Sequence, residues 1–488
     1  MKLLKEILYK VGITEVVGTT NVAVEHITFD SRDVKPFTLF VAQKGTQVDG
    51  HKFIAKAIEN GAHVIVCEEL PETFQQGVNY VKVANSSSAL AYIAANFYDN
   101  PSEALKVVAV TGTNGKTSVV TLLHQLFQNL GFKVGMLSTV VNKIGTEDIP
   151  STHTTPDAIS LNRLMARMVD EGCMAVFMES SSHAIDQHRV TGMDVDVAVF
   201  TNITHDHLDY HGTFSEYIKA KKKLFDSLRS DAVAIFNADD KNGEVMVQNC
   251  DGIKKGFGLK TVAEYRAKVL ENQFTGLHLT IDQTEVHTHL VGAFNASNIL
   301  AVYAVAMELH QDKLEVLTEI SNLQPVSGRF QYFRTPENIS AVVDYAHTPD
   351  ALKNVLSTIK QIRTGNEQLI TVVGCGGDRD KDKRPVMADI ACTWSDKVLL
   401  TTDNPRTENP QEIINDMQAG VSPVHFKKSM QIVDRKEAIK AAVAMSQAGD
   451  IILVAGKGHE TYQEVDGVRH HFDDMETLQE MFKRLKNS

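Results

Sequence analysis

The sequence has few cysteines, and they are widely dispersed. Five cysteines occur in 488 residues, at positions 67, 173, 250, 375 and 392, and no two of them form a C-x-x-C pair. This spacing argues against a disulfide framework and a zinc site, and it favours a reducing compartment. Long hydrophobic runs are missing as well, since no apolar stretch approaches the ~20 residues that cross a bilayer. We therefore predict a cytoplasmic protein without stable membrane insertion.

An excess of positive charge is also absent. The net charge is −12, which argues against broad nucleic-acid binding but still permits a local cluster of donors for a small anion. The opening stretch MKLLKEILYKVGITE interrupts its apolar residues with Lys5, Glu6 and Lys10. It therefore predicts an amphipathic first helix rather than a signal peptide. We expect a monomer that binds small molecules.

Short apolar runs alternate with amphipathic stretches from about residue 106 onwards. This alternation predicts a largely parallel sheet covered by helices on both faces. One of the helices is predicted over 156–172, opened by Pro156 and closed by Gly172. Residues 268–291 alternate polar with apolar side chains and predict an antiparallel ribbon, with a helix over 293–310 after it.

A second α/β series follows Pro325 and Gly328, which mark a plausible hinge. Its predicted strands lie near residues 340–344, 369–374, 397–401 and 450–455. Residues before 101 form a further unit, with GAHVIVCEE as its clearest strand. We predict an α/β fold with three domains, over residues 1–100, 101–326 and 327–488.

The stretch AVTGTNGKTS, residues 109–118, follows a predicted buried strand and opens a predicted helix. Glycines in such a loop let backbone N–H groups face phosphate oxygens, and Lys116 can neutralise phosphate charge. Thr117 occupies the position of a Mg²⁺-binding hydroxyl. The usual first glycine is replaced by Val110, with Gly112 following it. A glycine-rich turn with a capping threonine is the plainer alternative.

The form TGTNGKTS resembles the nucleotide loop of the Mur ligases and of their relative folylpolyglutamate synthase. The resemblance implies ATP-dependent activation of a carboxylate. It also implies a small α/β N-terminal domain that binds UDP, a central P-loop-type ATP domain and a Rossmann-like C-terminal domain that binds an amino acid. ATP would contact the loop residues Gly112, Thr113, Asn114, Gly115, Lys116, Thr117 and Ser118.

Three further positions are candidate magnesium ligands. Glu179 ends a predicted strand in MESSSH, and His207 lies in TNITHDHLDYHG. Read alone, the glutamate could cap a helix, and His205 with His207 could bind a transition metal. The lysine-rich stretch YIKAKKKLF could be a solvated face. The resemblance instead implies that Thr117, Glu179, His207 and a CO₂-derived carbamate on Lys221 bind Mg²⁺, with Lys116 catalytic.

Other nucleotide contacts are implied by the same resemblance. Asn295 would face the adenine, Arg329 the phosphates and Asp344 the ribose. Asn295 could equally be a helix-capping residue. Asp344 lies in DYAHTPD, residues 344–350, directly after a predicted strand.

The carboxylate substrate is expected to bind at two groups of residues. TFDSRDVKPFTLFVAQKGTQVDGH, residues 28–51, resembles a uridine-binding stretch, with contacts at Ser31, Thr46, Gln47 and Val48. STHTTPD and SSHAIDQHRV resemble the muramoyl-dipeptide site of tripeptide-forming Mur ligases. The implied contacts there are His153, where the family commonly has Asn, and Thr154, Thr155, Ser181, Gln187 and Arg189.

The stretch TTDNPRTENP, residues 401–410, bears on which amino acid the enzyme would add. Read alone, Asp403-Asn404-Pro405-Arg406 is a turn between a strand and a helix. In tripeptide-forming Mur ligases this form accompanies meso-diaminopimelate as the incoming amino acid. A guanidinium can bind the second carboxylate of diaminopimelate, whereas it would repel the side-chain ammonium of lysine. Arg379 in GCGGDRDKDKRP, itself a possible phosphate loop, and Gly456 and Glu460 in AGKGHETYQ would complete this site.

We therefore expect an ATP-dependent ligase that adds meso-diaminopimelate to a UDP-muramoyl-dipeptide through an acyl phosphate. An L-lysine-adding ligase and a folylpolyglutamate synthase are related alternatives. A non-catalytic ATP-binding regulatory protein is the alternative from another class. His183 and His207 are possible bases for the amine.

Overall fold

The protein was analysed as a computed structural model, which describes residues 1–45, 48–151 and 153–486. The N-terminal part forms a five-stranded sheet in the order β2-β7-β6-β5-β4, and β1 pairs with β3 beside it. Its elements are β1 Lys2–Leu3, α1 Leu4–Ile7, β2 Ile13–Val17, β3 Ala23–Val24, β4 His26–Thr28, β5 Thr38–Val41, α2 Ile54–Glu59, β6 Ala62–Cys67, β7 Asn79–Val83 and α3 Ser86–Phe97. The predicted amphipathic first helix is only one turn long: Lys2 and Leu3 before it pair as a strand with Ala23 and Val24, and beyond its end Lys10 has φ +58°.

The middle part forms an eleven-stranded sheet in the order β11-β10-β9-β12-β8-β13-β14-β15-β16-β17-β18. Its elements are α4 Pro101–Ala104, β8 Lys106–Thr111, α5 Lys116–Asn129, β9 Val134–Leu137, β10 Val141–Ile144, β11 Glu147–Pro150, α6 Ala158–Asp170, β12 Ala175–Glu179, α7 Ser182–Asp186, β13 Val197–Phe200, α8 Leu208–His211, α9 Phe214–Asp226, β14 Val233–Asn237, α10 Gly243–Met246, β15 Ile253–Gly258, β16 Tyr265–Gln273, β17 Gly276–Ile281, β18 Thr284–Thr288, α11 Ala293–Glu308 and α12 Lys313–Asn322. The seven adjacent strands β9-β12-β8-β13-β14-β15-β16 are parallel, as predicted, whereas β10 and β11 add an antiparallel hairpin at the edge beside β9.

Two details of the middle sheet differ from the sequence prediction. The antiparallel ribbon of β16, β17 and β18 is continuous with the parallel sheet, because β16 pairs with β15 at Phe257 and Gly258. Helix α6 begins two residues later than predicted, since Asp157 is its N-cap and accepts hydrogen bonds from Ile159 N and Ser160 N.

The C-terminal part forms a six-stranded sheet in the order β19-β20-β24-β21-β22-β23, parallel except for β19. Its elements are β19 Gln331–Arg334, β20 Ser340–Asp344, α13 Pro349–Ile362, β21 Leu369–Cys375, α14 Lys383–Trp394, β22 Lys397–Thr402, α15 Pro410–Gln418, β23 Ser429–Gln431, α16 Arg435–Met445, β24 Ile451–Ala455, β25 Tyr462–Val465, β26 Val468–His471 and α17 Asp474–Lys486. The four strands predicted here are confirmed within one or two residues at each end.

Helices cover both faces of the middle and C-terminal sheets, so the central strands β8, β9, β12, β13, β20, β21, β22 and β24 are buried almost throughout. In the described part of the chain, no helix is both long and apolar enough to cross a membrane. The carboxyl ends of β8, β9, β12 and β13 meet at one edge of the middle sheet. The polar residues that follow these strands are therefore brought together there.

Candidate active site

A cavity of about 330 Å³ lies between this edge of the middle sheet and the C-terminal part. The loop after β8 forms its floor, and residues after β12, β13 and β20 form its walls. The sequence-predicted residues that line it are Thr113, Asn114, Gly115, Lys116, Thr117, Ser118, Thr154, Glu179, Ser181, His207, Arg329 and Asp344. One cavity thus brings together residues that are up to 231 positions apart in the sequence, from Thr113 to Asp344.

Glycine is required in the loop after β8 for steric reasons. Gly112 has φ +151°, and a Cβ placed on it would lie 2.0 Å from Thr201 Oγ1. Gly115 has φ +90° and directly precedes α5, which begins at Lys116. The loop therefore runs close against β13 and directs the N-terminal end of α5, with its positive dipole end, toward the cavity.

Two lysines, Lys116 half-buried and Lys221 buried, share one backbone acceptor beside this loop. Lys116 Nζ donates to the carbonyl oxygens of Gly112, at 2.9 Å, and Thr113, at 2.8 Å. Lys221 Nζ donates to the same Gly112 oxygen at 2.8 Å, and its residue is 1% exposed. Burial lowers the pKa of Lys116, and burial together with the nearby Lys116 lowers that of Lys221 strongly. Within the described residues neither ammonium has a carboxylate within 4 Å.

Glu179 ends β12 and holds two threonines at the cavity wall. Its Oε1 accepts from Thr117 Oγ1 at 2.9 Å and from Thr139 N at 2.8 Å. Its Oε2 accepts from Thr139 Oγ1 at 3.2 Å. Glu179 is not a cap of α7, the helix that follows it, since neither threonine that it contacts lies in α7.

His207 lies in a cluster of rings beside Glu179 and Lys221. Its φ is +54°, and its ring centroid is 4.9 Å from that of His183 and 6.2 Å from that of Tyr217. Burial lowers the pKa of both imidazoles, to about 4 for His183, so both are neutral at neutral pH. Asp206 lines the cavity too, with Oδ2 3.4 Å from His207 Nε2. Sequence reasoning missed Asp206, although it stands directly before the histidine.

Arg329 and Asp344 connect the cavity to the C-terminal sheet. The Arg329 guanidinium stacks 4.3 Å from the Tyr345 ring and donates to Thr117 Oγ1 at 3.3 Å. Asp344 accepts from Phe330 N at 2.6 Å. Burial raises the pKa of Asp344 to about 6.

Asn295 and Asn298 lie in the first two turns of α11, and it is Asn298 that lines the cavity. Asn295 Nδ2 donates to Val291 O at 2.8 Å, and its Oδ1 accepts from Asn298 Nδ2 at 3.1 Å. Asn295 therefore supports the neighbouring asparagine in this structure. Its predicted contact with adenine stays a prediction.

The predicted dipeptide residues surround the end of β12. Thr155 Oγ1 donates to Glu179 O at 2.8 Å and accepts from Ser181 N at 3.1 Å. Arg189 Nη1 donates to Thr155 O at 2.9 Å, and Arg189 Nη2 donates to Gln187 Oε1 at 2.6 Å. His153 is exposed, and its carbonyl oxygen accepts from Ser151 Oγ.

The predicted uridine residues lie in the N-terminal part, outside the cavity lining. Ser31 O accepts from Asn60 Nδ2 at 2.8 Å, and Val48 is 56% exposed. Thr46 and Gln47 lie outside the described residues.

The predicted amino-acid residues form a second cluster, at the carboxyl ends of β21, β22 and β24. Asn404 Nδ2 donates to Glu460 Oε2 at 2.8 Å. Arg406 donates through Nη1 to Gly377 O at 2.6 Å and has φ +51°. Pro405 precedes it, and its carbonyl oxygen accepts from Glu408 N.

Gly456 and Arg379 flank this cluster. A Cβ on Gly456, whose φ is +117°, would lie 2.7 Å from Asp403 Oδ2, so the close approach requires glycine. Arg379 Nη1 donates to Asp378 O at 3.0 Å. Tyr345 links the two clusters, because it lines the cavity and its hydroxyl lies 3.4 Å from Glu460 Oε1. Sequence reasoning passed over Tyr345 and also Lys457, which contacts Asn404 and Glu460.

Three family models match successive parts of the chain. The Mur ligase family catalytic domain matches residues 23–98, the Mur ligase middle domain residues 110–306, and the Mur ligase glutamate ligase domain residues 328–458. Together these matches cover four of the five strands of the N-terminal sheet, the cavity and most of the second cluster.

Curated relatives match over almost the whole length of the chain. The UDP-N-acetylmuramoyl-L-alanyl-D-glutamate–2,6-diaminopimelate ligase of Cytophaga hutchinsonii is 52% identical over 483 residues, covering 99% of each chain. The enzyme of the same name from Phocaeicola vulgatus is 50% identical over 479 residues, covering 98% of this chain and 99% of its own.

Solved structures agree with this similarity. A structure of a ligase of the same name has a TM-score of 0.70 at 33% identity and covers 100% of both chains. The MurF ligase of Thermotoga maritima, solved in complex with ADP, shares the fold at 21% identity, with a TM-score of 0.64 and coverage of 95% of this chain and 99% of its own. The chain belongs to the Mur ligase family.

Proposed function

We propose that this protein is an ATP-dependent ligase that joins meso-diaminopimelate to UDP-N-acetylmuramoyl-L-alanyl-D-glutamate in peptidoglycan precursor synthesis. The observation that carries the proposal is the sequence identity of 50–52% with ligases of that name over nearly the whole chain. The choice of amino acid is supported by Arg406, whose guanidinium can bind the second carboxylate of diaminopimelate bidentately. An L-lysine-adding ligase would have no use for that guanidinium.

ATP is proposed to bind with its phosphates against the loop after β8. Backbone N–H groups at the start of α5, the Lys116 ammonium and the Arg329 guanidinium would then surround the γ-phosphate. Asp344 lies where a ribose could contact it, and Asn298 joins Asn295 as a candidate on the base side because it lines the cavity.

Mg²⁺ fits the donors beside this phosphate position. The Thr117 hydroxyl and the Glu179 carboxylate, already 2.9 Å apart, are the oxygen donors that Mg²⁺ prefers, and neutral His207 can add a nitrogen. A carbamate on Lys221 would add two more oxygens, and the lowered pKa of this amine favours the neutral form that CO₂ requires. When bound, Mg²⁺ would neutralise phosphate charge.

The proposed reaction has two steps. A carboxylate oxygen of the substrate's D-glutamate attacks the γ-phosphorus of ATP, the bond to the bridging oxygen of ADP breaks, and an acyl phosphate forms. The amine of diaminopimelate then attacks the acyl carbon, loses its proton and expels inorganic phosphate. The residues at the cavity mainly orient three reactants and exclude water. Thr154, Thr155, Ser181, Gln187 and Arg189 would hold the dipeptide carboxylate near the loop.

The domain boundaries 1–100, 101–326 and 327–488 are also proposals. They are supported by the family models, each of which lies within one of the three ranges. A cytoplasmic monomer is proposed on the composition of the chain, whose five cysteines are all free and buried.

The function is tested by following ADP release with the UDP-linked dipeptide while meso-diaminopimelate and L-lysine are offered separately. We expect diaminopimelate to be preferred by at least ~100-fold in kcat/KM, as for an unmatched buried charge. Arg406→Ala should lower kcat/KM for diaminopimelate by ~10–100-fold. Exposed Arg334→Ala, on β19, is the matched control and should leave it unchanged. Preference for lysine would refute the assigned amino acid, and no turnover with either would favour a regulatory ATP-binding protein.

A further inference from the structure

Lys457 is a fully buried lysine in the second cluster. It follows β24, and its side chain is 0% exposed. Its Nζ lies 3.1 Å from Asn404 Oδ1, 3.1 Å from Glu460 Oε2 and 3.8 Å from Asp403 Oδ1. A lysine is seldom buried this completely unless it is paired, and this one is paired with residues from two separate loops.

These contacts fix the orientation of the Asn404 amide. An ammonium group only donates hydrogen bonds, so the atom of Asn404 that faces Lys457 must be the oxygen. Glu464 N donates to the same Oδ1 at 2.9 Å. The amide nitrogen is thereby turned toward Glu460 Oε2, at 2.8 Å. A reversed amide would set its nitrogen against two donors, Lys457 Nζ and Glu464 N, and its oxygen against the Glu460 carboxylate.

The same lysine sets the charge of the cluster. Asp403 and Glu460 are two carboxylates, and Lys457 is the one ammonium between them. Arg435 nearby is occupied by Asp474 through two hydrogen bonds, and Arg406 donates to Gly377 O, so among the contacts of the described residues neither is hydrogen-bonded to these two carboxylates. One negative charge therefore remains, which an ammonium group of a bound amino acid can balance.

We infer that Lys457 is a positioning residue for the incoming amino acid, one that orients Asn404 and Glu460 and leaves one carboxylate charge for the substrate's ammonium group. This inference rests on the proposed function, because it concerns how that amino acid is held. Lys457 would act without touching the reacting atoms. Its loss would leave two buried carboxylates facing each other, and the Asn404 amide would be free to turn.

The groups that face Glu460 determine how its ionisation responds. Burial and Asp403 raise the pKa of Glu460, and Lys457 opposes both. The other ionisable groups near it are Tyr345 after β20, Tyr462 on β25 and Arg435 on α16. Removing the Lys457 charge should therefore raise the pKa of Glu460 further.

The test is Lys457→Met in the full chain, assayed by ADP release with the UDP-linked dipeptide and meso-diaminopimelate. We expect kcat/KM for diaminopimelate to fall at least ~30-fold, mainly through KM, as for loss of one partner of a buried charge pair. The KM for ATP should stay within ~2-fold, because the cavity residues keep their partners. The acid limb of the kcat/KM profile for diaminopimelate should move to higher pH by ~1 unit.

A second substitution separates charge from packing. Adding Asp403→Asn to Lys457→Met restores the net charge, so the acid limb should move back toward its wild-type position even if the rate stays low. If Lys457→Met fails to fold, Lys457→Gln replaces it in the test, because glutamine keeps a donor for Asn404. The acid limb of its kcat/KM profile should be shifted in the same way. Equal changes in kcat and all three KM values without a shifted limb would overturn the inference. A wild-type chain that does not use diaminopimelate would instead refute the proposed function.

Discussion

The cavity beside the loop after β8 and the cluster around Lys457 both bury charged side chains, but they compensate those charges differently. In the cavity, Lys116 and Lys221 donate only to backbone carbonyl groups, among the contacts that the described residues make. In the cluster, Lys457 contacts Glu460 at 3.1 Å, and Arg435 contacts Asp474 at 2.7 Å. In the first site the carboxylates Glu179 and Asp206 act on these ammonium groups only from a distance, whereas in the second site each of the two cations is paired directly with a carboxylate.

This difference matches the chemistry of the proposed ligands. ATP with its phosphates is strongly anionic, so a site for it gains from buried ammonium groups that burial alone destabilises. An amino acid carries both charges, so a site for it gains from fixed donors and acceptors with little net charge. The comparison indicates that stability was given up at the cavity and retained at the cluster.

Removing a cavity lysine should therefore abolish activity without harming the fold. We expect Lys116→Met to lower kcat by about 10³-fold or more, because the charge on the transferring phosphoryl group loses its buried cation. The melting temperature should stay the same or rise, because burial already disfavours the ammonium. ADP release and differential scanning calorimetry measure the two effects.

The matched control is Lys52→Met, a change at an exposed lysine of the N-terminal part. It should alter neither quantity. A Lys116→Met variant that melts well below the wild type would contradict the view that the Lys116 ammonium, which contacts only backbone carbonyl groups, costs the fold stability.

The sequence made the strand ends predictable, but not the direction of each side chain. Glu179, Asp344 and Asp403 stand where buried apolar runs stop, and polar residues at such ends of parallel strands gather at one edge. Asn295 and Asn298 differ by less than one helical turn, so which of them faces the cavity depends on how α11 packs.

Lys457 carried no signal, because a lysine between two glycines is usually exposed. Its burial depends on Asn404, which lies 53 residues away in the sequence and which only the folded chain brings to it. The first helix was predicted too long for the same kind of reason, since pairing of residues 2–3 with residues 23–24 and the positive φ of Lys10 confine it to one turn.

The cluster should respond to a broken ion pair in the opposite way from the cavity. Arg435 and Asp474 are both fully buried, and Arg435 also donates to Thr402 O and Ala455 O at the ends of β22 and β24. Arg435→Met should lower the free energy of unfolding by about 3–5 kcal/mol, because Asp474 is left buried and unpaired. Urea denaturation at pH 7 would measure it.

The double variant Arg435→Met with Asp474→Leu tests the cause. Removing both charges should recover part of the lost free energy of unfolding, since replacing both members of a buried ion pair costs far less than removing one of them. Full recovery is not expected, because the carbonyl groups of Thr402 and Ala455 lose their donor. A double variant no more stable than Arg435→Met would show that packing around the guanidinium, rather than the unpaired carboxylate, dominates.

Asp344 lies between the two regions and gives the smallest expected effect, one that depends on pH. Its pKa is raised from 3.8 to about 6, chiefly by burial, against the attraction of Arg329 and two backbone N–H groups. Between these pH values the folded chain binds more protons at this carboxyl than the unfolded chain does. Stability contributed by this group therefore falls as pH rises from about 4 to about 6, and the loss persists above that.

Asn at this position does not titrate, so Asp344→Asn should be more stable than the wild type at pH 7 by about 1–3 kcal/mol. The difference should be small near pH 4, where the folded carboxyl is protonated and the unfolded one, with its pKa of 3.8, is about half protonated. Urea denaturation at pH 4, 5, 6 and 7 measures this trend. An equal difference at every pH would mean that the amide's own hydrogen bonds, rather than the cost of a buried carboxylate, set the stability here, and Asp344 would then belong with the compensated charges of the cluster.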